Sequence, residues 1–159
     1  MTGVDFERAF GFVLHETARL FSKRFDQKAR RAIGLTRAQC VVLFRLTMQE
    51  GMNQARLAEL MEMEPISLAR LLDRMEQAGW VERRPDPSDR RARLLYRTSK
   101  AKPMFDRMVA VGLETRGEAL AGFSDAEREQ LVDMLLAVRR NLTERAAPEP
   151  ARAASGAKR

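Results

Sequence analysis

The chain has 159 residues, the length of one domain or of a small domain with helical extensions. Its 29 Lys and Arg exceed its 22 Asp and Glu and give a formal net charge of +7, which favours polyanionic partners. One cysteine excludes an internal disulfide, and one histidine disfavours a histidine-ligated metal site. With no apolar run of roughly 20 residues and no signal-peptide pattern, we expect a cytoplasmic protein that needs no cofactor or metal.

The first part of the chain has the apolar spacing of helices. The pattern predicts one long helix over residues 5–33, which ends at Gly34. Thr36 and Gln39 predict a capping box at the start of a second helix. That helix is expected to run to about Gln49.

Two short helices follow, joined by only three or four residues. Asn53 is the candidate cap of the first, over residues 53–61, and Pro65 suits the first turn of the second, which Gly79 ends. The apolar side of the second helix is expected to consist of Leu68, Leu71, Leu72 and Met75. This order of elements is that of a helix-turn-helix.

The stretch WVERRPDPSDRRARLLYRTS, residues 80–99, changes to a strand period. WVERR and RLLYR alternate as two strands, and the residues between them suit a turn. Turn geometry does not require the paired Arg90 and Arg91, so these two arginines favour contact with something negatively charged. A helix-turn-helix followed by such a hairpin is a winged helix.

The last third returns to helices. Thr98 or Ser99 is expected to cap a long helix, and Ser124 with Glu127 predicts a capping box for another. Residues 146–159 lack apolar periodicity and are predicted to be disordered. Coiled-coil-like spacing in the final helix is expected at Leu131, Leu135, Val138 and Leu142.

Two segments resemble the MarR family of bacterial transcription regulators, over about residues 6–142. GWVERRPDPSDRRARLLYRTSKA is similar to the family's glycine, apolar pair, Glu-Arg, Asp-x-x-Asp-Arg-Arg wing and threonine before a helix. LTRAQCVVLFRL is similar to the Leu-Thr-x-x-Gln opening of the family's second helix. The residues that carry the wing match are Gly79, Val81, Glu82, Arg83, Asp86, Asp89, Arg90, Arg91 and Thr98.

The resemblance implies a mainly α fold with a small β-hairpin wing. A winged helix-turn-helix would occupy residues 36–98, and residues 1–35 and 99–145 would form a helical dimerisation region. The apolar stripes on residues 10–25 and 131–142 agree, because they exceed what one small domain could cover. We therefore expect a homodimer that binds a pseudo-palindromic site.

The resemblance also implies that the helix from Pro65 enters the DNA major groove. Ser67 and Arg70 would then reach base edges, and Ile66 a thymine methyl. Phosphate contacts are expected from Arg74, Asn53 and Gln54. The alternative is that the helix arginines are only solvated charges.

In the same model of binding, Arg90 and Arg91 reach an adjacent minor groove. Asp89 would hold one arginine by a charge-assisted hydrogen bond, or would simply begin the turn. Arg83 and Arg84 either contact DNA or only line the strand edge.

Relatives of this family commonly release DNA when a small molecule, often an anionic aromatic, binds between the dimer helices and the winged helix. The expected lining is Phe12, His15, Arg19, Phe44, Met48, Met104 and Met108. The alternative is that the apolar members are core residues and His15 is an ordinary helix histidine. Cys40 is either a redox switch or a buried, inert thiol.

The leading hypothesis is a sequence-specific double-stranded DNA-binding regulator, a repressor released by a small ligand. The alternative is a non-specific architectural DNA-binding protein, which the net charge and the basic tail would also suit. A protein-only interaction module stays open if the wing arginines are irrelevant to DNA. An enzyme is disfavoured, because no nucleophile and base set, phosphate-binding glycine loop or metal-ligand spacing is present.

Overall fold

The computed structural model describes residues 6–89 and 91–144, which form six α-helices and a three-stranded antiparallel sheet. They separate into two compact units, one up to residue 119 with five helices and the sheet, the other from residue 120 with the last helix. The elements are α1 (Phe10–Ile33), α2 (Arg37–Met48), β1 (Met52–Asn53), α3 (Gln54–Met61), α4 (Pro65–Gln77), β2 (Val81–Pro85), β3 (Arg93–Arg97), α5 (Met104–Ala119) and α6 (Asp125–Glu144).

The first helix begins later than the sequence predicts. A short 3₁₀ turn at Phe6–Arg8 precedes it, and Ala9, with φ −64° and ψ 123°, is extended and breaks the helix hydrogen-bond ladder. The prediction of one helix from residue 5 is therefore wrong at its start. Its end is confirmed, because Gly34 has a φ of +69° and its N–H donates to the Arg30 carbonyl at 3.2 Å.

The capping box of α2 is confirmed. The Gln39 N–H donates to Thr36 Oγ1 at 3.2 Å, and the Thr36 N–H donates to Gln39 Oε1 at 2.8 Å. The helix ends at Met48, beside the predicted Gln49, and Gly51 follows with a φ of +73°. The position of α2 in the fold is thus set by local hydrogen bonds.

The helix-turn-helix forms as expected. Asn53 Oδ1 accepts the Arg56 N–H at 2.8 Å at the start of α3, and Pro65 occupies the first turn of α4. Three residues separate the two helices. At the end of α4, Gly79 has a φ of +72°, and the Trp80 N–H donates to the Met75 carbonyl at 2.8 Å, so the chain closes a Schellman motif.

The core joins the helix-turn-helix and the sheet to the inner faces of α1, α2 and α5. The four apolar residues predicted for α4 are all buried, together with Val81 and Leu95 of the sheet. Deleting one such side chain, for example at Leu72, typically costs roughly 2–5 kcal/mol of stability. Because this side of α4 is committed to the core, the opposite side of the helix is left for solvent.

The wing is a two-stranded hairpin extended by a third short strand. β2 and β3 are antiparallel, with Val81 opposite Arg97 and Pro85 opposite Arg93. β1 pairs with the other edge of β3, with Met52 opposite Leu95, and gives the order β1-β3-β2. The sequence did not predict β1, because a strand of two residues, the second of which is the helix cap Asn53, carries no strand periodicity.

Neither Thr98 nor Ser99 caps α5, so that prediction is wrong. The helix begins only at Met104, after turns. Thr98 Oγ1 donates instead to the Gly79 carbonyl at 2.7 Å, across the end of α4. Lys100 strengthens this junction, because its Nζ donates to the Ala78 carbonyl at 2.7 Å and lies 4.2 Å above the Trp80 ring.

The last helix begins as predicted. The Ser124 N–H donates to Glu127 Oε2 at 2.8 Å and the Glu127 N–H faces Ser124 Oγ at 3.4 Å, which confirms the capping box of α6. Residues 146–159, predicted to be disordered, lie outside the described residues. None of the helices in residues 6–89 and 91–144 is long and apolar enough to span a bilayer.

Gly51 is expected to be the glycine least tolerant of a side chain. A Cβ at this position would lie 2.9 Å from Tyr96 Oη, on a backbone with positive φ. Gly51→Ala should lower the free energy of unfolding by about 1–3 kcal/mol, measured by urea unfolding. The matched control is Gly117→Ala within α5, where nothing lies within 4 Å of the added Cβ and a small stabilisation is expected. An unchanged midpoint for Gly51→Ala would contradict the packing described.

Candidate nucleic-acid interface

The outer face of α4 is free in the described structure. Ile66 is 65% exposed, and Ser67, Arg70 and Arg74 are also exposed, while Leu68 on the opposite face is fully buried. The structure therefore brings the predicted helix residues together on one solvent-facing side. An exposed helix face with two arginines suits a polyanionic groove.

Sequence reasoning missed one neighbour of this face. Arg30 of α1 lines the same open groove as Ser67, Arg70 and Arg74, together with Asp26. Arg30 Nε donates to Asp26 Oδ2 at 2.7 Å, and Asp26 Oδ1 accepts the Arg37 N–H at 2.7 Å. These hydrogen bonds, that of the backbone amide first, hold the pKa of Asp26 below its usual range. No sequence signal links position 30 to α4, because their place in one groove depends on how α1 packs.

The start of α3 carries the two predicted backbone contacts. Asn53 is exposed; its Oδ1 accepts the helix-cap hydrogen bond, and its side-chain N–H groups can donate to a partner. Gln54 is half-buried at the first position of the helix. Both residues flank the first turn of α3, where free backbone N–H groups accumulate.

Aspartates order the tip of the wing. Asp86 Oδ1 accepts the Ser88 N–H at 2.7 Å and the Ser88 hydroxyl at 2.6 Å, and the hydroxyl and this amide lower the pKa of Asp86. Asp89 Oδ1 accepts the Arg91 N–H at 2.9 Å, as expected if Asp89 begins a turn. The Arg91 side chain is exposed, and Arg90 lies outside the described residues.

The two arginines at the root of the wing differ in their partners. Arg83 is only 21% exposed and pairs with Asp73 and Glu76 of α4. Arg84 pairs with Glu82 of its own strand and lies 4.4 Å from the centroid of the Tyr96 ring. Arg84 therefore pairs within its own strand, whereas Arg83 bridges to α4.

An apolar cavity of about 310 Å³ lies between α1, α2 and α5. Phe44 and Met108 of the predicted ligand residues line it, and the Phe44 and Phe105 rings stack with centroids 6.3 Å apart. Arg37 and Ser22 supply polar groups at its wall. The members that sequence reasoning missed are Phe21, Ser22, Phe25, Arg37, Cys40, Val41, Phe105 and Val109.

The other five residues predicted for ligand binding do not line this cavity. Phe12, His15 and Arg19 are exposed on α1, and Arg19 Nη2 pairs with Glu16 Oε2 at 2.7 Å. Met48 is 61% exposed, and Met104 packs against the core. On each helix the residues that line the cavity are spaced three or four positions apart. This spacing indicates that they share one face of their helix, but it does not indicate which helix faces pack together.

Cys40 is expected to resist alkylation. It is buried at the cavity wall, and this burial raises the pKa of the thiol to about 11, so little thiolate forms near neutral pH. At pH 8, iodoacetamide should label the native protein about 100-fold more slowly than the urea-unfolded protein, whose cysteine has a pKa of roughly 8.5. Mass spectrometry measures the labelling rates. Equal rates for the native and unfolded protein would show instead an accessible and reactive thiol.

No group of three or more His, Cys, Asp or Glu that could hold a metal occurs within residues 6–89 and 91–144. The site has instead an exposed helix, a helix-turn-helix support and a basic hairpin on one small domain. This combination defines the class of winged-helix DNA-binding proteins.

Comparisons with known proteins show the same resemblance. Residues 35–92 match the sequence model of the MarR family. The transcriptional regulator SlyA is 28% identical, with 86% of this chain and 95% of that chain covered and a TM-score of 0.72. The apo form of wild-type MarR from E. coli is 23% identical, covers 81% of this chain and 95% of its own and has a TM-score of 0.76.

A mutant MarR from E. coli complexed with operator DNA has the same fold, at 23% identity, with 83% and 94% of the two chains covered and a TM-score of 0.71. Over residues 35–92 the chain thus matches the MarR family model, and its fold is that of the solved MarR and SlyA regulators. The predicted resemblance to the MarR family and the predicted mainly α, winged helix-turn-helix fold are thereby confirmed.

Proposed function

We propose that the protein binds a pseudo-palindromic operator as a homodimer and represses transcription in the cytoplasm until a small ligand releases it. The observation that carries this proposal is the exposed outer face of α4, with Arg70 and Arg74, beside an ordered basic wing. In the proposed complex α4 lies in the major groove and the wing approaches the minor groove.

Each predicted contact has a role in this complex. Ser67 and Arg70 reach base edges and Ile66 a thymine methyl, as expected for the exposed first turns of a recognition helix. Arg74 binds phosphate, and we add Arg30, which lines the same groove. Further backbone contacts come from Asn53 and Gln54, and minor-groove contacts from Arg90 and Arg91, with Asp89 bracing the turn.

The homodimer is supported by apolar surface that each unit leaves exposed. On α1, Phe10 is 62% exposed and Leu20 is 55% exposed; on α6, Leu135 is 43% exposed and Leu142 is 67% exposed. Large apolar side chains at helical spacing on a solvent-facing side favour a protein partner. We assign them to a dimerisation region formed by residues 1–35 and 99–145 of two copies, so that two winged helices face half-sites roughly 34 Å apart.

The effector is proposed to bind in the cavity between α1, α2 and α5. Its aromatic wall suits an apolar body, and Arg37 suits a carboxylate, so the expected ligand class is an anionic aromatic. Benzoate is the probe: calorimetry should show binding that Arg37→Gln weakens about tenfold. A loss caused instead by Arg19→Gln would move the anion to the exposed face of α1.

Selection from a random duplex library tests the proposed DNA specificity. The purified protein should enrich a pseudo-palindrome whose half-sites are about 10 base pairs apart between centres. Enrichment of a single half-site would contradict the homodimer. Recovery of unselected sequence would contradict specific recognition and would indicate an architectural DNA-binding protein, the function that the net charge of +7 would also suit.

A further inference from the structure

Arg83 connects the wing to the recognition helix. Its Nη2 donates to Asp73 Oδ1 at 2.7 Å, its Nη1 donates to Glu76 Oε2, and its backbone N–H donates to Glu76 Oε1 at 3.1 Å. Asp73 and Glu76 are three residues apart and therefore neighbours on the surface of α4. A residue of β2 is thus held by two carboxylates of the helix that is proposed to enter the major groove.

The chemistry of this contact favours a fixed geometry. A guanidinium presents its donors in a planar fork, and charge-assisted hydrogen bonds are stronger than neutral ones. Arg83 is 21% exposed, so water competes less for it than for Arg84, which is 57% exposed. Arg84 makes no comparable bridge, because its partner Glu82 belongs to the same strand.

We propose that Arg83 is a positioning residue: it binds Asp73 and Glu76 rather than DNA, and so fixes the distance between α4 and the tip of the wing. The inference rests on the proposed DNA binding. A wing held in place before binding loses less conformational freedom when Arg91 meets the minor groove. The helix and the wing then bind as one unit.

Removing one negative charge from α4 changes DNA affinity in opposite directions under the two possible mechanisms, positioning and simple electrostatics. Asp73 and Glu76 are negative groups on the helix that faces DNA, and Coulomb repulsion alone predicts that removing either strengthens DNA binding. If they act by holding Arg83, removing one weakens binding instead. The two mechanisms therefore predict opposite results for the same substitution.

Glu76→Gln is the test and Glu82→Gln is its matched control. Both glutamates pair with an arginine of β2, and their side chains are 39% and 42% exposed. Glutamine keeps an acceptor for the Arg83 N–H while it removes the charge. Operator affinity, measured by fluorescence anisotropy, should fall about tenfold for Glu76→Gln and stay equal or rise for Glu82→Gln. Equal or tighter binding by both variants would overturn the proposal.

A second readout distinguishes positioning from a loss of stability. Arg91→Ala should weaken binding of the wild type and lower the salt dependence of log K by about 0.9 if one phosphate contact is lost. In the Glu76→Gln background the same change should cost several-fold less, because the wing already contributes less. An equal cost in both backgrounds would leave Glu76 with a structural role only and would contradict the proposal.

The DNA preference of the wild-type protein distinguishes a failure of this proposal from a failure of the proposed function. If the wild type shows no preference for the selected duplex, the proposed regulator fails whatever the variants do. If the wild type is selective and Glu76→Gln behaves as Glu82→Gln does, only the positioning role of Arg83 fails. Arg83→Lys, which keeps the charge but not the fork, should lie between the wild type and Glu76→Gln.

Discussion

Leu135→Asp is expected to convert the proposed homodimer to monomers and to weaken binding to the proposed operator by about 100-fold or more, because two linked half-site contacts become independent. Leu135 is 43% exposed on α6, where a partner copy would have to cover it. An aspartate there would place an unpaired carboxylate in an apolar interface, which is strongly unfavourable. Sedimentation analysis and anisotropy titration measure the two effects on the same samples.

Asn141→Asp is the matched control for this substitution. It adds the same negative charge to an exposed position of α6 without entering the Leu131, Leu135, Val138 and Leu142 series. The control should remain dimeric and bind with nearly unchanged affinity. A Leu135→Asp protein that stays dimeric would remove α6 from the proposed dimer interface.

Arg70→Ala is expected to reduce the preference for the selected duplex over unrelated duplex by about 10- to 100-fold, the usual value of one bidentate base contact. Binding to unrelated duplex should change far less, and so should stability, because Arg70 is exposed. Competition titrations with both duplexes measure the preference directly. Arg74→Ala should instead weaken binding to both duplexes by a similar factor.

Arg139→Ala provides the comparison for charge alone. Arg139 is exposed on α6, outside the winged helix, and its removal lowers the net charge by the same amount as Arg70→Ala. It should leave the preference between duplexes unchanged. If Arg70→Ala and Arg139→Ala behave alike, α4 is not the element that reads sequence.

Local hydrogen-bond chemistry explains which parts of the fold were predictable from sequence. The capping boxes at Thr36 and Ser124, and the glycine ends at Gly34 and Gly79, depend on residues within a few positions of each other, and the structure confirms them. Thr98 shows the limit of this approach. Its hydroxyl bonds a carbonyl 19 residues away, a choice that no local pattern distinguishes from a helix cap.

The candidate site also has one part that local sequence predicts and one part that depends on packing. The exposed side of α4 follows from helical periodicity, so Ile66, Ser67, Arg70 and Arg74 could be selected from sequence alone. The place of Arg30 in the groove beside that side could not be selected in this way, because it depends on how the helices pack.

The cavity wall depends on packing for the same reason. The wall forms where three helices pack together. Sequence periodicity predicts which face of each helix is apolar, but not which face of another helix packs against it. Arg97 is a further example. It is largely buried and pairs with Glu50 at 3.2 Å, a partner 47 residues away that local sequence does not indicate.

The most direct test of the proposed regulator is whether the wild-type chain binds DNA selectively. The measurement is an anisotropy titration of the duplex that lies upstream of its own coding region, beside an unrelated duplex of equal length, over a series of salt concentrations. We expect roughly 1,000-fold or greater preference for the upstream duplex, with an affinity for both that falls steeply as salt rises. Equal affinity for the two duplexes at every salt concentration would contradict a sequence-specific regulator.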